Sequence, residues 1–341
     1  MEDKLFITPV YGVNLNEDSL KDLKIGLVTF TTFKRFRKTR LKFGLEYTIG
    51  SLEHLNSSTS FFKNIITNFK VIAIVRYSDS SDVEWARNEI NKSISILCAS
   101  YMSFSIRKIG QKILTYDRSE LQKGISLGLK SALPSFMGAR VNSVKLELND
   151  TWSKFHRKYW FIPFLRRILN KKGKNSKWEK MIIEAVKIIG QAQSSERVED
   201  AFLKNIVALE MLLVENKADM KKCQVVVKRL GFLLDWTENW SQNRYKEKIV
   251  KLYTIRNNYM HEGKAQDITL EQLVILENIL FNVLYNIVNC IDVFNSKGKL
   301  VEYSDNYEHE KKLKIVSNKY QLKKLRFFET QRETKLNTLK L

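Results

Sequence analysis

The chain has 341 residues, 44% of them hydrophobic, so it can fold into one large or two ordinary domains and is not a disordered protein. With 58 Lys and Arg against 37 Asp and Glu, its net charge of +21 attracts polyanions, among which nucleic acid is the first candidate. The alternative is that a Lys-rich composition simply places these charges on a solvated surface.

Several features favour a cytoplasmic protein without a metal or cofactor. Cys98, Cys223 and Cys290 lie far apart, and none is close to a His or another Cys at metal-ligand spacing. The N-terminal sequence MEDKLFITPV lacks the long apolar core of a signal peptide. The most apolar stretch, residues 270–294, is interrupted by acidic and asparagine residues, which predicts a buried helix and no membrane span.

Residues 1–150 carry strand signals. Apolar and polar residues alternate from Leu41 to Ile49, which predicts a half-buried strand, and Val71–Val75 is typical of a fully buried one. Weaker strand patterns lie at residues 24–33 and 144–148. A Ser-x-x-Glu capping box at residues 81–84 precedes apolar residues at helical spacing up to Tyr101. Together they predict an α+β N-terminal domain of undefined role.

Residues 151–177 combine basic and aromatic side chains. The aromatic rings are candidates for stacking on unpaired bases, and the cations for binding phosphates. The candidate nucleic-acid-binding residues are Arg157, Lys158, Arg166, Arg167, Lys171 and Lys172. The alternative is a connector between domains whose aromatic residues pack inward, which Pro163 and Gly173 would suit.

Residues 178–295 change to the periodicity of helices. Five apolar stripes begin near Trp178, after Ser194 and Ser195, near Met220, near Tyr245 and after Thr269. The two serines are a predicted N-cap, and Thr269 with Gln272 is a predicted capping box. Short loops between these helices predict an all-α antiparallel bundle following the α+β domain. Residues 296–341 are expected to form a basic, loosely attached tail that is helical or partly disordered.

The fourth predicted helix contains the strongest candidate site. Tyr245, Ile249, Leu252, Tyr253 and Arg256 share one helical face, so Arg256 continues an apolar stripe. An arginine there must be paired, or must line a cleft or an interface.

A histidine follows five residues after this arginine. On an ideal helix, His261 would point about 140° away from Arg256. Gly263 is a natural residue to end the helix, and we expect the last turn to bring the histidine back toward the arginine. The guanidinium would hold a phosphate while the imidazole transfers protons. By itself this spacing is also that of ordinary helix-capping residues.

The run LYTIRNNYMHEG, preceded by a helix containing ALEMLL and followed by a long apolar helix, resembles the Apea-like branch of the HEPN superfamily. The resemblance covers residues 178–295. It implies a helical bundle that forms a homodimer, and a composite site that cleaves RNA without a metal through attack of the ribose 2′-hydroxyl on the adjacent phosphate.

On this resemblance, Arg256 would stabilise the phosphate, His261 would act as general acid or base, and Asn257 would orient one of them. Asp200 and Lys204 have the spacing of an accessory pair in some relatives, although such pairs are also ordinary helix-surface stabilisers. Glu210 is a further accessory candidate. If it pairs with Arg256 inside the bundle, both residues are structural.

The resemblance implies a cytoplasmic endoribonuclease, a toxin of a bacterial antiviral defence or stress-response system, whose N-terminal domain would sense a trigger or position RNA. The sequence does not identify a sensor or regulatory partner, nor whether the enzyme is held inactive until it is activated. RNA is the expected substrate, with no membrane association. The alternative is a non-catalytic HEPN module that binds nucleic acid or serves for dimerisation.

Overall fold

The structure is a computed structural model that describes residues 3–44, 71–78, 83–102, 104, 113–115, 125–126, 135–136, 146–215, 222–234, 242–263, 268–314, 322 and 324–328. The chain forms two compact units. The first contains Met1–Ile94 and Gly110–Ser153, and the second contains Ser95–Ile109 and Lys154–Leu341. Most of the segment that we expected to connect two domains therefore belongs to the second unit.

The first unit is built on a small β-sheet. Its strands are β1 (Asp3–Tyr11), β2 (Val13–Leu15), β3 (Leu23–Ile25), β4 (Val28–Thr31), β5 (Val71–Ser78), β6 (Leu114–Thr115), β7 (Ile125–Ser126), β8 (Ser135–Phe136) and β9 (Leu146–Leu148). The main sheet has the antiparallel order β3-β4-β5-β1-β6. Strands β2 and β9 pair in parallel, and β7 and β8 form a separate antiparallel pair.

Strand β5 confirms the predicted buried strand, because Val71–Val75 is almost completely inaccessible between β4 and β1. On one face of the sheet, Ile72 and Ile74 pack with Phe36 of helix α1 (Phe33–Thr39). The predicted helix after β5 is α2 (Val83–Ala99), and its Ser93 hydroxyl donates to the Ile25 carbonyl at 3.0 Å. Ser81 of the predicted capping box lies outside the described residues.

The strand predicted from Leu41 to Ile49 is wrong over its described part. Residues Arg40–Phe43 form a short 3-10 helix that ends at Gly44, which has a φ of +80°. The alternating pattern does not mark a buried face, since Leu41 is 67% exposed while the Phe43 ring packs 5.3 Å from that of Phe36. Residues 45–49 lie outside the described residues.

The second unit is mostly helical. Helix α3 (Asp150–Lys158) enters it from the first unit, and α4 (Phe161–Phe164) continues into a π-helical turn at Leu165–Leu169. The remaining helices are α5 (Lys177–Gln193), α6 (Val198–Leu213), α7 (Lys222–Leu234), α8 (Gln242–Glu262), α9 (Leu270–Asn289) and α10 (Lys297–Leu313). The change to helical periodicity near Trp178 is therefore confirmed. Helix α6 packs on both α5 and α9.

In the helical unit, two of the three predicted helix boundaries are confirmed. Helix α8 ends at Glu262, followed by Gly263 with a φ of +68°, and α9 begins after Thr269, whose N–H donates to Gln272 Oε1 at 2.9 Å. The predicted cap at Ser194 and Ser195 is wrong. Their hydroxyls donate backward to the carbonyls of Gly190 and Gln191 in α5, and Arg197 precedes α6 without a side-chain cap.

Helix α9 is a core helix. It has the length and mean hydropathy (1.2) of a membrane span, but 78% of that stretch is buried inside the protein. Part of the expected loose tail is also packed on the helical unit. Helix α10 begins after the N-cap Ser296, and Leu325 is completely buried.

Candidate functional site

The last two turns of α8 contain the sequence RNNYMHE, and Gly263 follows the helix. The helix remains regular to Glu262, where the Gly263 N–H donates to the Tyr259 carbonyl at 3.1 Å. Because each residue turns a helix by about 100°, Arg256 and His261 leave the axis about 140° apart. The structure therefore does not bear out the expectation that the last turn reunites them. Within the described part of the chain, no hydrogen bond joins their side chains.

The three motif residues lie in different environments. Asn257 and His261 are one turn apart on the exposed face of α8, while Arg256 is half-buried. The Nη1 of Arg256 donates to Oδ1 of Asn257 at 3.0 Å. Asn257 therefore contacts the guanidinium directly.

Tyr253 lies one turn before Arg256 on the inner side of α8. Burial raises the pKa of the Tyr253 phenol, the nearby Glu210 carboxylate raises it further, and the Arg256 guanidinium acts in the opposite direction. The phenol hydroxyl and Oε1 of Glu210 are both buried, and neither completes a hydrogen bond of normal geometry with any described group. The Tyr253 phenol is therefore close enough to both the Glu210 carboxylate of α6 and the Arg256 guanidinium of α8 for each to shift its pKa.

Glu210 has a different cation as its partner. Its Oε2 accepts a hydrogen bond from Lys222 Nζ at 3.0 Å, with the Glu210 side chain 14% exposed and that of Lys222 51% exposed. Among the described residues, no carboxylate forms an ion pair with Arg256. Arg256 and Glu210 therefore do not form the structural ion pair that we considered as an alternative.

The accessory pair on α6 is not formed. The Nζ of Lys204 donates to the Ser195 hydroxyl at 2.8 Å, and no ion pair joins it to Asp200 in the described ranges. Both side chains are half-buried. Lys204 thus fixes the turn between α5 and α6.

Most aromatic side chains of the basic segment point into the protein. Trp160, Phe161 and Phe164 are completely buried, while Phe155 and Tyr159 are partly accessible. The inward packing that we considered as the alternative therefore describes most of these rings.

The six basic residues of this segment divide into two groups. Arg157, Lys158, Arg166 and Lys172 are exposed. Arg167 instead donates to the carbonyls of Val288 and Asn289 at 2.9 and 3.1 Å, and to the Asp292 carboxylate, where α9 ends. Lys171 is bonded to Glu179 Oε1 at 2.6 Å. Of these six residues, only Arg157, Lys158, Arg166 and Lys172 can therefore contact a polyanion without breaking internal bonds.

Two further cations of the helical unit are shielded from solvent, and their sequence positions did not indicate this: Arg229 is buried and Lys297 is half-buried. Lys297 donates to the Met211 carbonyl at 2.8 Å and to that of Val214, at the end of α6, and burial lowers its pKa to about 8. Arg229 is 7% exposed, and burial lowers its pKa. No sequence pattern indicated that Arg229 or Lys297 would be shielded, because the residues around each of them are ordinary for a helix.

Within the described residues, no group of three or more His, Cys, Asp or Glu side chains is arranged to hold a metal ion. Comparisons with protein-family models, with curated proteins and with solved structures gave no match to the chain.

Proposed function

We propose that the chain is a metal-independent endoribonuclease of the HEPN type, with Arg256, Asn257 and His261 at its reaction centre. The observation that carries the proposal is the state of Arg256. Its guanidinium is half-buried, is held by Asn257 at 3.0 Å and has no carboxylate partner among the described residues. An arginine in this state keeps donors for a phosphate.

In the proposed reaction, the ribose 2′-oxygen attacks the adjacent phosphorus and the bond from phosphorus to the 5′-oxygen breaks. The products are a 2′,3′-cyclic phosphate and a 5′-hydroxyl end. A general base removes the 2′-hydroxyl proton, and a general acid gives a proton to the leaving 5′-oxygen. His261 supplies one of these transfers, and Arg256 stabilises the charge on the phosphate oxygens.

A second copy of the chain completes the proposed site. Arg256 and His261 diverge within one helix, so the arginine of one copy would act with the histidine of the other. Two apolar side chains beside the motif support a contact there, since Val250 is 50% exposed and Met260 is 55% exposed. An isologous dimer built on α8 would cover both.

The exposed cations Arg157, Lys158, Arg166 and Lys172 are the proposed RNA-binding residues, and the net charge of +21 favours association with RNA. On the resemblance, we place the protein in the cytoplasm as an effector of bacterial defence or stress response. The first unit would sense a trigger or position the RNA.

Cleavage of mixed RNA in EDTA tests the proposal. Wild type should produce cyclic-phosphate ends, whereas Arg256→Ala and His261→Ala should lose cleavage by at least about 100-fold, the usual effect of removing a general acid or base. His309→Ala is the matched control, because His309 is an exposed histidine on α10. Undiminished cleavage by both motif variants would rule out this site.

Mixing the two inactive variants tests the composite arrangement. After random exchange of subunits, half of the dimers contain one copy of each variant. Each of these mixed dimers has one intact site out of two, so about a quarter of wild-type activity should return. No recovery despite demonstrated subunit exchange would show that one chain supplies both groups.

The second candidate is a non-catalytic HEPN module that binds nucleic acid or dimerises. The divergence of Arg256 and His261 favours it. It predicts RNA binding without cleavage by wild type, and equal affinity of the His261→Ala variant.

A further inference from the structure

Helix α9 carries two buried asparagines that hold the main chain of a C-terminal segment. The Asn286 amide donates to the Arg326 carbonyl at 2.9 Å and accepts from the Arg326 N–H at 2.9 Å. Asn282 makes the same two bonds with Phe328, at 3.0 and 2.7 Å. Each side chain therefore binds both polar groups of one residue, as a neighbouring β-strand does.

The spacing of the two asparagines fits an extended peptide. Residues one turn apart on a helix are separated by about 6 Å along its axis. Alternate residues of an extended chain repeat about every 6.6 Å. Residues 326 and 328 therefore match Asn286 and Asn282, with the segment running antiparallel to α9. These four bonds depend on the backbone and place no demand on the side chains at 326 and 328, except that proline lacks the N–H.

Two side chains of the segment add selectivity. Leu325 is completely buried. The Phe328 ring packs edge-on against Tyr159 and Tyr285, with centroids 5.1 and 4.7 Å apart. Arg326 is exposed and Phe327 is half-buried. The pattern that this surface selects is therefore Leu-x-x-Phe.

The two asparagines are satisfied only when the segment is in place. Both are 0% exposed. Their second N–H groups are already used, by Asn282 for the Asn278 carbonyl and by Asn286 for the Leu233 carbonyl. The segment itself covers these groups, so removing it would break the four bonds and leave a donor and an acceptor of each amide facing an open groove. An apolar residue would serve the core better at either position, so the amides are suited to binding a peptide.

We propose that Asn282, Asn286, Tyr159 and Tyr285 form a peptide-binding groove for an extended Leu-x-x-Phe segment, with residues 325–328 as its displaceable internal ligand. The partner that fits the groove is the same segment of a second copy of this chain, because this is the sequence that it already holds. The proposal does not depend on ribonuclease activity.

Binding of a labelled synthetic peptide with the sequence of residues 322–331 tests the groove. The full-length Phe328→Ala variant weakens the internal competitor, so it should bind the peptide at least about tenfold more tightly than wild type does. Adding Asn286→Leu to that variant should abolish binding. The matched control is Lys324→Ala, at an exposed position, which should behave as wild type, and a peptide with alanine in place of its second phenylalanine should not bind.

Equal binding by wild type and Phe328→Ala, or equal binding of the two peptides, would overturn the proposal. If Phe328→Ala does not unfold cooperatively, hydrogen exchange of the wild type gives the answer. The Arg326 and Phe328 amides should be protected, and excess peptide should accelerate their exchange while leaving α9 unchanged. Exchange rates that do not respond to the peptide would also overturn it.

Discussion

Glu210 is paired with Lys222 across the start of α7, with 3.0 Å between Oε2 and Nζ. This pairing decides whether Arg256 is needed to neutralise Glu210. A buried arginine that neutralised Glu210 would be a structural residue, and its removal would leave an uncompensated charge. Because Lys222 already neutralises this carboxylate, Arg256 can be changed without leaving one unpaired.

Arg256→Ala should therefore lower the free energy of unfolding by less than about 1 kcal/mol, since within the described ranges its side chain makes one hydrogen bond, to Asn257. Lys222→Ala should cost more, about 1–2 kcal/mol, because Glu210 is 14% exposed and would lose its cation. Urea denaturation of both variants gives the comparison. A loss of more than about 3 kcal/mol in Arg256→Ala would identify the arginine as structural.

Arg167 and Arg166 should separate stability from RNA binding. Arg167→Ala should cost about 2 kcal/mol, since it removes charge-assisted bonds to the Val288 and Asn289 carbonyls and to Asp292. Arg166 is exposed, and its alanine variant should change stability by less than about 0.5 kcal/mol. Thermal melts of the adjacent variants test this difference, and equal losses would contradict the capping role of Arg167.

The four exposed cations Arg157, Lys158, Arg166 and Lys172 should determine the salt dependence of RNA binding. Replacing all four by alanine should reduce the slope of log affinity against log salt by up to about 3, since each single-strand phosphate contact contributes about 0.7. The matched control replaces Lys34, Arg37, Lys38 and Lys42 of the first unit, which are also exposed. An equal change in both variants would mean that RNA binding reflects overall charge alone.

Local signals account for what the sequence predicted. The apolar composition of Val71–Val75 was enough to predict a buried strand, and Gly263 was enough to predict where α8 ends. The partners that define the site depend on contacts between separate helices. Nothing near Glu210 in the sequence identifies Lys222 over Arg256 as its partner, and Ser195 resembled a helix cap although its hydroxyl turns back to α5.

The buried histidine His156 should make stability fall at acid pH. It is 0% exposed, and burial lowers its pKa from 6.5 to about 3, although a bond with the Ser100 backbone opposes this. The unfolded chain therefore binds a proton below pH 6.5 that the folded chain does not. The contribution of neutral His156 is complete above pH 6.5 and is lost toward pH 3 at about 1.4 kcal/mol per unit.

Urea denaturation between pH 7 and pH 5 tests this dependence with His156→Phe. The stability of wild type relative to this variant should fall by about 2 kcal/mol over that range. His309→Phe, at an exposed position, is the control. A difference between wild type and His156→Phe that does not change with pH would show that the imidazole titrates alike in the folded and unfolded chains.

Gly190 of α5 should not tolerate a side chain, because the backbone of Ser95 lies directly against it within the helical unit. A Cβ at position 190 would lie 1.5 Å from the Ser95 carbonyl oxygen, and that atom belongs to a helical backbone that cannot move aside. Gly190→Ala should therefore cost more than about 4 kcal/mol of folding stability or prevent folding.

The control is Gly298→Ala in α10, where the nearest described atom to an added Cβ is the Ser296 hydroxyl at 3.9 Å. Because alanine has a higher helix propensity than glycine, this variant should gain up to about 1 kcal/mol of stability. Thermal unfolding of both variants gives the test, and a Gly190→Ala protein as stable as wild type would show that the two helices do not approach this closely.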